Sequence, residues 1–357
     1  MSARSVALAH YRRQRALARR VAREIRAIWR TRDLSNLDAW WLRVAPQMVA
    51  LLAGAQLLAA ASADGYVDRV LGEQGIDPDT DWQIVPEAFA GVASDGRPLE
   101  GLLYQPVIVT KARIAQGYSP SQAASAGELN LDMLVRTAIA DAGRLAVGAA
   151  LVPRRRATGY VRMLNPPSCA RCAILAGKWF RWNQGFQRHP RCDCVHIPSS
   201  EARAGDLRLD PREAIEAGQV TGLSRAERQA ILDGADPAQV VNARRGMTTT
   251  VIGGRRVRIT TEGTTRRGWS TYVRRRIAEL EGTDLEFVGE AVGARGAVTN
   301  YIQRRTRLPR LTPEEIYRVA RTRDEAIRLL ARNGYLTNVP GRVNSTIREI
   351  AEFAVGR

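Results

Sequence analysis

Leu17, Val21, Ile25, Ile28 and Trp29 recur at three- and four-residue steps, and Arg19, Arg20, Arg23, Arg26 and Arg30 fill the positions between them. That period predicts one amphipathic helix over about residues 3–31. A second helical region follows over about 33–75, with Trp40, Trp41, Val44 and Met48 on its apolar side and Pro46 marking a kink or a new start. Its most apolar stretch, 48–61, falls short of the roughly 20 residues a bilayer crossing needs, so it reads as a buried helix. Residues 77–96, rich in Asp, Pro and Gly, read as loop with a short helix near Pro86. Helices over about 98–117 and 127–151 follow, separated by Gly117-Tyr118-Ser119-Pro120.

The pattern changes at Arg154-Arg155-Arg156. Alternation over Thr158–Met163, and the short runs Lys178–Trp182 and Cys192–Ile197, predict strands. Beyond Pro198 the helical signals return as short pieces. Asp210-Pro211, the capping box Ser224-x-x-Glu227, Asp236-Pro237 and Thr312-Pro313 each open a helix. Thr248–Ile252 and Arg255–Thr261 flank Gly253-Gly254, a hairpin signal. Trp269–Leu280 and 344–355 are helical, Asn333-Gly334 ends a helix, and 282–310 carries no clear pattern.

The expected class is α+β, predominantly helical. It comprises a basic amphipathic helix (1–32), a helical domain (33–152), a small α+β Cys/His module (153–200), and a C-terminal region of short helices with a β-hairpin (201–357).

A length of 357 residues suggests two or three folded units, and 45% hydrophobic against 25% charged residues is globular rather than disordered. The Met-Ser-Ala-Arg start lacks the apolar stretch of a secretory signal, so export is not expected. The formal charge of +18 is segregated: +9 over 1–32, −7 over 33–150, +8 over 151–204 and +8 over 205–357. Clustered cations bind phosphate, whereas scattered ones only aid solubility. Nucleic-acid contact is therefore expected at Arg12, Arg13, Arg19, Arg20 and Arg23 and at Arg154, Arg155 and Arg156, with a merely solvated helix face as the rival for the first group. All but two of the 54 basic residues are arginine, which a GC-rich coding genome explains better than a demand for phosphate forks.

All four cysteines and two of the three histidines fall within 28 residues, as Cys169-x-x-Cys172 and His189-Pro-Arg-Cys192-Asp-Cys194-Val-His196. A Cys-x-x-Cys turn offers two thiolates to one ion, and a Cys/His pair about twenty residues on can complete a tetrahedron. The expected ligands are Cys169, Cys172 and His189 with Cys192 or Cys194, His196 standing in reserve, and the expected ion is structural zinc. Disulfides are the poorer reading without export, and buried thiols without metal are the other. A catalytic zinc needs an open position and a nearby base, and Asp193 is the only close acid.

At these residues the chain resembles the Mu F-like minor head proteins of tailed bacteriophages, of the type found in phages of actinobacteria. The likeness rests on Cys169-x-x-Cys172, Gly177-Lys178-Trp179-Phe180 and His189-Pro190-Arg191-Cys192-Asp193-Cys194. It is specific over about 150–198 and looser over 33–150, while Leu311–Tyr317 looks similar to the C-terminal half of such proteins. The resemblance implies a low-copy virion protein inside the phage head, assembled in the host cytoplasm. It would associate with the portal protein and other head proteins and with genomic DNA, would aid packaging or delivery, and would have no membrane partner. Relatives labelled capsid maturation proteases make protease activity one alternative.

No catalytic residue is expected. The chain has no His-Glu-x-x-His, no His-x-Glu ahead of its Cys pair, and no complete phosphate-binding loop around Gly177-Lys178. His10, on the basic first helix, reads as a plain surface or interface residue, and only Lys111 and Lys178 could serve a Ser-Lys dyad. A zinc-dependent nuclease or plain zinc-bearing DNA binder is the other alternative, and the short supply of histidine weighs against the nuclease.

Overall fold

In the computed structural model the described residues are 2–184, 194–252, 254–265, 267–283 and 309–357. They form a predominantly helical α+β protein with small sheets of two or three strands. The chain divides into two units, residues 1–165 with 176–209, and residues 166–175 with 210–357. This division differs from the boundaries read in the sequence. The first helix belongs to the first unit, and the 153–200 module is cut between the two.

The first unit begins with α1 (Ala3–Trp29), opened by a capping box in which the Ser2 hydroxyl and the Ser5 side chain satisfy each other's backbone N–H groups. Its inward face buries Val6, His10, Tyr11, Val21, Ile25 and Trp29, which explains why 1–32 is no independent arm. Next come α2 (Leu37–Ala61) and α3 (Ala63–Gly72). Pro46 lies inside α2 without ending it. The stretch Leu37–Gly72 holds a window long and apolar enough to cross a membrane. Four of its large apolar residues, Trp40, Trp41, Met48 and Leu52, are nonetheless buried in the bundle core with Ile25, Trp29, Leu103 and Leu131. Trp29 and Trp40 meet edge to face at 5.4 Å.

A short 3-10 turn at Pro86–Phe89 precedes α4 (Leu99–Ala115) and α5 (Pro120–Leu151). The α5 helix starts at Pro120 rather than near 127. Ser119-Pro120 is a start signal, with Ser119 as N-cap boxed by Gln122 and Pro120 at a position whose N–H has no helical partner. Gly127 lets α5 approach closely: an added Cβ would lie 2.6 Å from the Trp29 ring and 2.3 Å from the Thr110 hydroxyl.

Strands β1 (Gly159–Met163), β3 (Trp179–Arg181) and β4 (Val195–Ser199) form an antiparallel sheet in the order β3-β1-β4. β4 is buried along its whole length beneath α1, α3 and α5. The Tyr66 hydroxyl of α3 donates to the His196 carbonyl at 2.6 Å and ties helix to strand.

In the second unit β2 (Ser168–Cys169) pairs in parallel with β5 (Val220–Thr221). Cys169 leads into α6 (Ala170–Ala176), an element absent from the sequence expectation. The short helices α7 (Pro211–Glu216), α8 (Arg225–Leu232) and α9 (Pro237–Ala243) start at side-chain caps on Asp210, Ser224 and Asp236, as their sequence signals predict. The expected hairpin is β6 (Met247–Ile252) with β7 (Arg255–Thr260), and Gly254 takes the φ of 78° that its turn requires. Gly253 lies outside the described residues.

The unit continues with α10 (Trp269–Glu281), β8 (Arg310–Leu311), α11 (Pro313–Val319), α12 (Arg323–Arg332) and α13 (Ile347–Val355). β8 extends the hairpin by pairing antiparallel with β7. Most of the unpatterned stretch 282–310 lies outside the described residues, but Arg310 closes it. Its buried guanidinium donates to the carbonyls of Asn333 and Gly334 and to Gln239 Oε1, and stacks 4.2 Å from the Tyr335 ring centre.

Candidate functional site

The arginines expected to meet nucleic acid separate into two groups by burial. Arg12, Arg13, Arg19, Arg20 and Arg23 are all exposed on the outer side of α1, because its inward face is spent on the core. Of these Arg20 pairs with Glu24 at 3.1 Å, an exposed pair of small energetic weight.

Arg154 differs. It is 1% exposed, its Nη2 lies 2.6 Å from Asp68 Oδ1 and its Nη1 3.1 Å from Asp64 Oδ1, and it also donates to the Ala150 carbonyl. It is a cross-brace between α3 and the end of α5, and a phosphate would have to compete with two carboxylates for it. Arg154 is accordingly removed from the candidate DNA contacts. Arg155 and Arg156 are exposed, and Arg156 pairs with Asp77 at 2.9 Å.

The Cys/His residues do not share one unit. Cys169 and Cys172 belong to the second, where Cys172 N donates to Cys169 Sγ at 3.4 Å at the start of α6. Cys194 and His196 belong to the first. His189 and Cys192 lie outside the described residues. Among the described residues no group of three or more His, Cys, Asp or Glu side chains converges as a metal site.

Cys194 is buried just ahead of β4, and the buried Arg162 guanidinium from β1 donates to its Sγ from Nη2 at 2.6 Å and from Nε at 3.2 Å. Arg144, paired with Asp141 at 2.8 Å, donates to the Cys194 carbonyl at 3.2 Å. Two arginines thus fix both the backbone and the sulfur at this position, an arrangement that spacing in the sequence could not reveal.

Cys194 and His196 also border a cavity of about 330 Å³ within the first unit, together with His10 and Gln14 of α1 and Arg136 and Arg144 of α5. His10 is not the plain surface or interface residue that its basic neighbours suggested. It is 4% exposed, stacks at 3.9 Å on Tyr66, and its Nδ1 has no hydrogen-bond partner. Burial, reinforced by the charges of Arg13 and Arg69, lowers its pKa to about 4, so the ring is neutral at pH 7. Burial also raises the Tyr66 hydroxyl well above its ordinary value. Gln14 uses its amide N–H groups on the Ala59 carbonyl and the Ser62 hydroxyl, while its Oε1 is buried without a donor. The sequence signal for His10 was its position: Val6, Ala7, His10, Tyr11 and Ala18 share the inward face of the helix.

Compared with protein-family models, curated proteins and solved structures, the chain matches none.

Proposed function

We propose that this chain is a minor head protein of a tailed bacteriophage, of the Mu F-like kind, held inside the head with the portal protein and in contact with packaged DNA. The observation that carries the DNA contact is the set of Arg12, Arg13, Arg19, Arg20 and Arg23, exposed on a helix whose other face is buried in the bundle. Guanidinium groups in such an array neutralise successive phosphates without reading bases, so the binding is non-specific and weakens steeply with salt. The assignment to a phage head rests on the Cys-pair and His-Pro-x-Cys-x-Cys string in a largely helical chain.

The role is architectural: helices brace the particle and arginines hold DNA during packaging or delivery. No catalytic step is assigned to any residue. Zinc, as a structural staple on Cys169, Cys172, His189 and Cys192 or Cys194, is part of the same proposal and would contribute folding free energy rather than chemistry. Mass spectrometry of purified virions and procapsids tests the reading. The protein is expected in both at low copy beside the portal, and its absence from both overturns the assignment.

A further inference from the structure

A second feature of the first unit concerns a groove at the end of its sheet. Its volume is about 530 Å³, and Arg155, Thr158, Trp179, Arg181, Trp182 and Glu201 are among its lining residues. Trp182 is 51% exposed. Its backbone N–H donates to the Thr158 carbonyl at 3.1 Å, so the indole is carried on the sheet edge. Trp179 lies deeper, packed so tightly over Gly159 that an added Cβ there would come within 2.6 Å of its ring. Its indole N–H is buried and has no acceptor.

The charges of the groove are unlike those beside it. Arg154 also lines the groove but is neutralised by Asp64 and Asp68. Arg155 and Arg181 are exposed, and neither makes an ion pair with a carboxylate among the described residues. The wall thus combines an exposed indole with two guanidinium groups that make no ion pair among the described residues, beside the single carboxylate of Glu201.

We propose that this groove binds an unpaired segment of DNA, with a base stacked on Trp182 and the flanking phosphates held by Arg155 and Arg181. A duplex keeps its base faces stacked inside the helix, so an indole at a groove mouth can reach a base only in a single strand or a frayed end. Every base has a π face, so the contact is tolerant of sequence and contributes roughly 1–3 kcal/mol per stacked base. The inference rests on the DNA-contact reading and deepens it: α1 meets double-stranded backbone, and the sheet edge holds strand that is locally unpaired.

The test uses the full-length protein with a fluorescein-labelled oligo-dT and a duplex of the same length, read by anisotropy at fixed salt. Trp182→Ala is expected to weaken oligo-dT binding about 5- to 100-fold while duplex affinity stays within about twofold. Trp182→Phe should retain most of the single-strand affinity, and the double variant Arg155→Gln/Arg181→Gln should reduce it. Arg19→Gln/Arg23→Gln on α1 should weaken duplex binding. Unchanged oligo-dT affinity in Trp182→Ala, or no oligo-dT binding by the parent protein, overturns the inference. Duplex binding that still depends on α1 in that experiment leaves the head-protein reading standing, whereas loss of both probes removes the DNA contact from each. Trp182 is exposed, so an unchanged melting temperature in Trp182→Ala serves as the folding control.

Discussion

Arg154, buried between two carboxylates, is expected to respond to substitution differently from the exposed arginines proposed to contact DNA. Replacing it by Gln removes the cation shared by Asp64 and Asp68 and leaves the Ala150 carbonyl without its donor. Breaking a fully buried ion pair costs about 3–5 kcal/mol. Here the Asp64 side chain is 19% exposed and that of Asp68 45%, so water regains much of Asp68. The discounted cost is about 2–3 kcal/mol. For a unit of this size, that lowers the melting temperature by roughly 4–12 °C.

Thermal and urea unfolding followed by circular dichroism measure the loss. In parallel, DNA affinity is titrated against salt, where each lost phosphate contact reduces the log–log slope by about 0.9. Arg154→Gln is expected to lower stability and leave the slope alone. The double substitution Arg19→Gln/Arg23→Gln is expected to do the opposite, reducing the slope by about 2 with little change in melting temperature. An Arg154→Gln protein that melts like the parent and shows a reduced slope would refute the assignment of Arg154 to structure.

Two further outcomes are expected, one from the burial of His10 and one from the spacing of the Cys/His string. The folded-state pKa of His10 lies near 4 against 6.5 for a free imidazole, so between these values the unfolded chain binds a proton that the folded chain refuses. Its contribution is intact above about pH 6.5 and declines as pH falls toward 4, by up to about 3 kcal/mol. His10→Phe, which keeps a ring against Tyr66, should remove that part of the pH dependence, and an unchanged difference in unfolding free energy between pH 7 and pH 4.5 would contradict the burial argument. Elemental analysis should find about one zinc per chain, with chelation or Cys169→Ser lowering stability. A folded, metal-free protein of undiminished stability would remove zinc from the proposal.

Local signals in the sequence account for most helix starts. Ser224, Asp236 and Thr312 cap helices where their side chains can reach the N–H groups two or three residues on, a short-range interaction that needs no tertiary partner. The Gly253-Gly254 hairpin was legible for the same reason. The period of α1 likewise determined which arginines face outward, since a helix with one apolar stripe has only one way to bury it.

What lay beyond the sequence is everything set by residues far apart along the chain. Arg154 and Arg155 are neighbours of the same type, yet one is committed to carboxylates 86 and 90 residues earlier while the other lines an open groove. His10 reads as a basic-helix residue until Tyr66 covers it. The division of the Cys/His string between two units is equally invisible from spacing, because β2 pairs with β5 some fifty residues later while β4 pairs with β1. Helical period and capping act within a few residues and are written in the local pattern. Burial, ion pairing and the desolvation that shifts a pKa depend on which distant surfaces meet, and only the folded chain brings those surfaces together.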